Sequence, residues 1–302
     1  KKWHEGATAD SGLVGIVLDA TPFYPEAGGQ VADTGSLIAD GGVEFAVEDV
    51  QRFGAYVAHI GRVGKGALRT GSSVSAAVDF ARRALIAKNH TPTHMLNLAS
   101  MQAVGAPCDQ RGSLVDSDKL RFDFAYGQGF TKEVAADVQL RVNEIIKADL
   151  PVQTLVAPLE GAKAINGLRA VFGEQYPDPV RVVSVGGPGI SAMLDEPTKE
   201  EWGGYSIEFC GGTHIGSSAE VTSFALMGEE SIGGGVRRVV GVTHDKATAA
   251  FEAAVAFRAR VAAAQMLKDE ELNTELANLS TKLAENEMPL ADRKEFSDII
   301  AD

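Results

Sequence analysis

Two short pairs of soft ligands stand out in the chain. His90 and His94 lie four residues apart in His90-Thr91-Pro92-Thr93-His94, and Cys210 and His214 lie four apart in Cys210-Gly211-Gly212-Thr213-His214. Imidazoles at i and i+4 of a helix project the same way. Two glycines between a thiolate and an imidazole permit the tight turn that brings them together. Either pair alone is commonplace, since an isolated HxxxH is usually coincidence and a single cysteine is usually an inert core thiol. Together they use three of the six histidines and one of the two cysteines. Three His and one Cys form a borderline-soft donor set suited to zinc. Four protein ligands would close a tetrahedron, as in structural zinc sites. Ligands drawn from distant segments instead suit a pocket where one position exchanges with water or substrate. The residues alone leave both readings open.

A second candidate is Thr21-Pro22-Phe23-Tyr24-Pro25-Glu26-Ala27-Gly28-Gly29-Gln30, followed by Asp33 and Gly35. Gly28 and Gly29 would let the backbone approach a ligand closely, and Gln30 offers both a donor and an acceptor. The plainer reading is a hairpin loop tied down by a buried Gln. A third stretch, Asp109-Gln110-Arg111-Gly112-Ser113-Leu114, reads as a solvated loop ahead of an edge strand bearing Arg121 and Asp123.

The elements that must carry these groups change character along the chain. Apolar runs at residues 13–19, 43–47, 55–60 and 74–80, separated by glycines, predict short strands in a small barrel or sandwich. A helix is expected to start at Thr91 as N-cap with Pro92 in its first position and to end at Gly105. Strands are expected at 120–124, 180–185, 205–209 and 236–243, and an amphipathic helix at 131–149 stopped by Pro151. There is no regular βαβ alternation, so the class is α+β. From about Lys246 one long helical pattern runs on, Ala-rich and then acidic, interrupted by Pro289. This gives a β-barrel subdomain at residues 1–80, an α+β domain with the metal ligands at 81–245, and a helical segment at 246–302.

Composition sets outer bounds. The 302 residues are 45% hydrophobic and 23% charged, an ordinary globular balance. No apolar run is long enough to span a bilayer. The opening Lys1-Lys2-Trp3-His4-Glu5 does not resemble a signal peptide, and two cysteines fit a reducing compartment, so a cytoplasmic location is expected. The absence of an initiating Met suggests an excised piece of a longer chain. The net charge of −13 argues, taken alone, against a phosphate-rich partner.

Taken together, the segments resemble one family. TPFYPEAGGQVADTG, NHTPTHMLN, GSLV with LRFDF, EFCGGTHIGSS and ESIGGGVRRVVGVT, in that order, are similar to the editing domain of alanyl-tRNA synthetases and its free-standing relatives. The stretch at 166–184 (Asn166-Gly167-Leu168-Arg169-Ala170-Val171-Phe172 through Tyr176-Pro177-Asp178-Pro179 to Ser184) resembles the eukaryotic type. The resemblance covers roughly residues 12–245. It implies a small β-barrel followed by a zinc-containing α+β editing domain, and hydrolysis of mischarged Ser-tRNA(Ala) and Gly-tRNA(Ala). A synthetic pocket rejects an added hydroxyl or a missing methyl poorly, which makes a second hydrolytic site necessary.

By the same resemblance, zinc falls to His90, His94, Cys210 and His214. Gln30 and Thr21 become the catalytic candidates, and Gly28, Gly29, Arg111 and Asp123 the substrate-binding ones. The partners are then the 3′ acceptor end of tRNA(Ala) and the remaining domains of a parent synthetase, with no membrane. The chain shows no aminoacylation core of its own, which makes it a fragment or, as second choice, a free-standing editor. Glu208 and Asp123 are the nearest candidates for a general base, although structural carboxylates are the better reading of both. A non-catalytic zinc-containing tRNA-binding module is the alternative function.

The net charge also looks different by segment. Residues 268–302 hold four basic and ten acidic residues, a net of −6. Arg82, Arg83, Lys88, Arg111, Arg121, Arg237 and Arg238 cluster in the motif-bearing part and predict a local basic face that would give weak, salt-sensitive tRNA binding.

Overall fold

The computed structural model describes residues 4–171 and 173–301. Lys1, Lys2 and Trp3 of the amino terminus, Phe172 of the 166–184 stretch and Asp302 of the acidic tail lie outside the described residues. Two compact units are present: residues 1–87 with 211–213, and residues 88–210 with 214–302.

The first unit contains β1 (Gly6–Thr8), β2 (Val14–Val17), β3 (Gly35–Ala39), β4 (Val43–Phe53), β5 (Tyr56–Val63), β6 (Ala67–Arg69) and β7 (Val74–Val78). Five strands form one antiparallel sheet in the order β2-β5-β4-β3-β7, and β1 pairs with β6 in a separate ribbon. The expected barrel is not closed, because the edge strands β2 and β7 do not pair with each other. Phe23 and Ala32 from the long connection after β2, and Leu68 from β6, fill the core beside Leu37, Phe45 and Val50. Loop side chains do the covering that further strand pairing would do in a barrel.

Helix α1 (Phe80–Val104) starts eleven residues before the expected Thr91. Its first turn is capped by Asp79, whose Oδ1 accepts from Arg82 N at 2.9 Å. Pro92 therefore sits inside the helix, where it removes one intrahelical donor. Every residue from 91 to 100 is buried, so packing on all sides outweighs that local cost.

In the second unit, β8 (Gln110–Val115), β9 (Leu120–Ala125), β14 (Phe224–Gly233) and β15 (Val236–Thr243) form an antiparallel sheet in the order β14-β15-β9-β8. The stretch expected as a loop is thus the edge strand β8, and β9 is internal. A bulge between Gln110 and Gly112 disguises the alternation that would have marked it. A second sheet has the order β10-β12-β13-β11, from β10 (Val152–Ala157), β11 (Leu168–Arg169), β12 (Val180–Val185) and β13 (Ser206–Phe209). One face of it packs Ile207, Phe209 and Val182 against Ile190, Met193 and Trp202. The buried part of α1 is tied to both sheets: Asn89 Nδ2 donates to the Asp116 carbonyl at 2.9 Å, and Asn97 Nδ2 donates to Glu208 of β13 at 3.2 Å.

Helix α2 (Lys132–Lys147) buries Ala135, Val138, Val142 and Ile146, and Thr131 caps it. The short helices α3 (Leu159–Lys163) and α4 (Ile190–Asp195) flank β12. The carboxyl-terminal pattern is three helices, α5 (His244–Ala264), α6 (Asp269–Leu283) and α7 (Leu290–Ala301), instead of one interrupted only at Pro289. The extra break folds Leu279, Met288 and Phe296 back onto Phe257 and Val261 in a shared core. No helix among the described residues is long and apolar enough to cross a membrane.

Candidate metal centre

The four predicted ligands come together in the second unit. The donor atoms of His90, His94, Cys210 and His214 all lie within 4.8 Å of one another. His90 and His94 project from consecutive turns of α1. Cys210 follows directly on β13, and its backbone is pinned to β12: its N–H donates to the Arg181 carbonyl at 3.2 Å, and Arg181 Nη1 donates to its carbonyl at 2.9 Å. The thiolate lies 3.3 Å from His90 Nε2 and 3.3 Å from His214 Nε2. His90 and His94 are buried, whereas Cys210 and His214 are half-buried.

Outer contacts aim the rings. His94 Nδ1 hydrogen-bonds the Glu208 carboxylate. His214 Nδ1 hydrogen-bonds Thr91 Oγ1 at 3.0 Å, and Thr91 also accepts from Ile215 N at 3.3 Å. Occupying Nδ1 in this way leaves Nε2 as the donor to a metal, the usual outer-shell logic of metal-bound histidine. His94 Nε2 is buried without a hydrogen-bond partner. A buried polar atom left unsatisfied costs about 1–3 kcal/mol. A cation bound by the cluster removes that cost, so the residues present fit zinc both in donor chemistry and in the one nitrogen left unpaired.

The cluster's protonation follows from its crowding. Burial disfavours charge on His94, but Glu208 and the Cys210 thiolate overcome it and push the ring up to about 10. Burial would raise Cys210, yet the charges of His90 and His94 hold it well below the ordinary thiol value. Burial, and then the charge of His90, bring His214 down to about 3. Burial would raise Glu208 as well, and His94 and Arg169 keep it below its ordinary value. The lowered thiol favours the thiolate of Cys210, the form that ligates a metal, whereas a metal at His94 Nε2 would have to displace the proton that Glu208 and the thiolate hold on that ring.

In the first unit Gly28 and Gly29, with φ of +58° and +84°, form the two-residue turn between Ala27 and Gln30, which exchange backbone hydrogen bonds at 3.2 and 3.0 Å. Both torsions belong to the mirror-image turn that glycine adopts most readily. Gln30 is fully buried, and its Oε1 accepts from Thr213 N at 2.9 Å and Thr213 Oγ1 at 3.2 Å. Thr21 Oγ1 hydrogen-bonds His59 Nε2 at 2.7 Å and accepts from Phe23 N at 3.1 Å. His59 Nδ1 donates to the Ile16 carbonyl at 3.0 Å, so its Nε2 is the acceptor and the Thr21 hydroxyl the donor. Arg111 is exposed on β8. Asp123 is buried on β9, where Arg238 donates twice, at 2.9 and 2.8 Å, and Arg121 lies at 3.5 Å.

Four of the seven basic residues expected to form a basic face are engaged by carboxylates. Arg121 and Arg238 pair with Asp123, Arg237 with Glu229, and Arg83 with Asp33. For Arg238 the cause is cross-strand register: β9 and β15 set Asp123 opposite it, a neighbour that linear spacing does not reveal. Sequence reasoning assigned no role to Arg169, Asn97 or His59, and took Thr91 as a helix cap where its hydroxyl instead meets His214. Only Glu208 left a readable signal, a carboxylate in a strand otherwise buried throughout.

The site and its frame define the class: an α+β domain in which a helix, a strand end and the turn after it bring three His and one Cys together as a candidate metal centre. The sequence model of the "Threonyl and Alanyl tRNA synthetase second additional domain" matches residues 180–240, and that of "tRNA synthetases class II (A)" matches residues 4–82. The chain is 45% identical to the cytoplasmic alanine–tRNA ligase of Dictyostelium discoideum over 277 residues, 90% of this chain and 29% of that protein. It is 44% identical to the mitochondrial alanine–tRNA ligase of Saccharomyces cerevisiae over 283 residues, 91% of this chain and 29% of that one. For the alanine–tRNA ligase of Schizosaccharomyces pombe the identity is 46% over 249 residues, 82% and 26%. The chain is an editing-type region of the alanyl-tRNA synthetase family, and it spans under a third of the length of these relatives.

Proposed function

We propose that the chain is an editing hydrolase that deacylates Ser-tRNA(Ala) and Gly-tRNA(Ala), working in the cytoplasm as part of a longer synthetase. The observation that carries this reading is the convergence of His90, His94, Cys210 and His214 with His94 Nε2 left unpaired. The similarity to alanine–tRNA ligases supplies the substrate class. Zinc held by the four residues would supply Lewis acidity and an oriented water. The rest of the work falls to the chain. Glu208 and Thr91 keep the His94 and His214 rings aimed. Within the first unit, Gln30, its amide oriented by Thr213, is the residue we assign to substrate together with Thr21, Gly28 and Gly29, on the family resemblance. Arg111, exposed on its edge strand, meets the phosphate backbone of the acceptor end. Asp123 is saturated by arginines and serves its sheet in place of the substrate. Glu208 is committed to His94 and Arg169, which removes it as a general base.

One observation favours the second reading, a non-catalytic zinc-containing tRNA-binding module: four protein donors suffice to close a tetrahedron. The two are separated by offering the chain Ser-, Gly- and Ala-tRNA(Ala) and following amino-acid release. Editing predicts rapid loss of serine and glycine and persistence of alanine. Zinc at one per chain, with tRNA bound and every ester intact, would establish the binding module instead.

A further inference from the structure

The Glu208 carboxylate does more than pair with one histidine. Both its oxygens are assigned: Oε2 takes His94 Nδ1, and Oε1 accepts from Arg169 Nε at 3.1 Å and Asn97 Nδ2 at 3.2 Å. Two donors on one oxygen fix the carboxylate plane, so the other oxygen has a single place to be. Arg169 is fixed in turn. Its Nη2 donates to Ser206 Oγ at 3.0 Å, and its Nη1 reaches the carbonyls of Gly167 at 3.4 Å and Tyr205 at 3.5 Å. The side chains of Arg169, Glu208 and His94 are 11%, 6% and 8% exposed, which makes this a nearly dry chain of charges.

Its origin is topological. β11 is two residues long and pairs in parallel with β13, with Arg169 directly opposite Glu208. The chain enters β11 through Gly167, at φ +78°, where a Cβ would lie 2.6 Å from Gly203 Cα. The close backbone approach that seats β11 therefore requires glycine. Ser206 and Glu208 share one face of β13, opposite the Ile207 and Phe209 that fill the core. The face turned toward α1 is thus the polar one, and it is polar only where it meets Arg169 and His94.

We infer that Glu208 and Arg169 are positioning residues for the metal centre: Arg169, seated by β11, clamps Glu208, and Glu208 holds the His94 ring with Nε2 presented to the metal. This inference rests on the metal reading above and adds a dependence of that centre on a two-residue strand far from any ligand in sequence. A buried ion pair serving only the fold would leave the metal's coordination untouched when replaced. A positioning pair would not, because His94 is free to rotate once Nδ1 loses its acceptor.

The test uses the full chain, with Zn²⁺ and Co²⁺ as probes. Zinc affinity is measured by competition with a chromophoric chelator, and the visible bands of the Co²⁺ form report ligand number and geometry. Glu208→Leu and Arg169→Gln are each expected to weaken zinc about 10–100-fold and to alter the Co²⁺ bands. The far-ultraviolet circular dichroism of the metal-free chains should match the parent. Each single variant strands a buried charge, so the double variant Arg169→Met, Glu208→Leu, which removes both charges and the acceptor of His94 Nδ1, guards against misfolding. It is expected to fold and to show the same altered Co²⁺ spectrum. Parent-like affinity and spectra in a folded double variant would overturn the positioning role while leaving the metal reading intact. A parent chain that takes up neither metal would overturn both.

Discussion

His94 and His214 are each oriented through Nδ1, by different chemistry: a carboxylate on one, a hydroxyl on the other. Thr91 sits between the two histidines of α1 yet serves His214, which lies 123 residues away. Thr91→Ala should therefore weaken zinc about tenfold or more without removing a ligand, as chelator competition would record; unchanged affinity would assign Thr91 to packing alone. In the first unit the Thr21 hydroxyl is the donor that satisfies His59 Nε2. Thr21→Val keeps the volume and strands that buried nitrogen, so about 1–3 kcal/mol of stability should be lost in urea unfolding. The four donors were legible in the sequence because both pairs are local and chemically distinctive. Their supports were not, since Glu208 meets His94 across 114 residues and Arg169 meets Glu208 across 39. A partner at such separation is decided by topology, which no spacing along the chain encodes.

At the scale of elements, strands with clean alternation or unbroken apolar runs were readable, and so was the amphipathic α2. The failures have identifiable causes. Thr91-Pro92 carries a genuine helix-start signature, but the segment around it is buried on all sides and burial prevails over the proline. The bulge in β8 and the long loop covering the first unit's core hid an edge strand and an open sheet. Two predictions belong here. Gly167→Ala should cost about 1–3 kcal/mol through strain at β11, and, through Arg169, it should also loosen zinc. Loss of stability with unaltered zinc affinity would uncouple β11 from the centre. The second concerns His59, whose pKa burial lowers from its ordinary 6.5, partly opposed by the Ile16 carbonyl. The unfolded chain therefore takes up a proton that the folded one resists. Stability from this residue is fully present above pH 6.5 and is lost as pH falls toward the depressed folded pKa. His59→Gln should flatten that acid limb of the urea midpoint; a limb of the same slope would assign it to other groups.

For the whole molecule, the charge of −13 turns out to be unevenly spent. Four of the seven basic residues expected to form a basic face are engaged by carboxylates, while α6 and α7 keep Asp269, Glu270, Glu271 and Asp298 exposed and pair Glu275, Asp292 and Glu295 with Arg260 and Arg258. Deleting those helices to expose a nucleic-acid surface would be a poor experiment, because Leu279, Met288 and Phe296 belong to the core they share with α5. Reversing the exposed pair Glu270→Lys, Glu271→Lys leaves that core alone. It should raise tRNA affinity at low salt, with the gain fading as salt approaches about 0.15 M; a gain that ignores salt would point to a change of contact, not of field. The central claim is that the His/Cys centre supports deacylation. It is tested most directly by measuring, on the same preparations, zinc content and single-turnover hydrolysis of Ser-tRNA(Ala) for the parent and for His94→Ala. The account predicts one zinc per parent chain with rapid serine release, and a fall of about a hundredfold or more in the variant as the centre loses its ligand. Undiminished hydrolysis by the variant would contradict it.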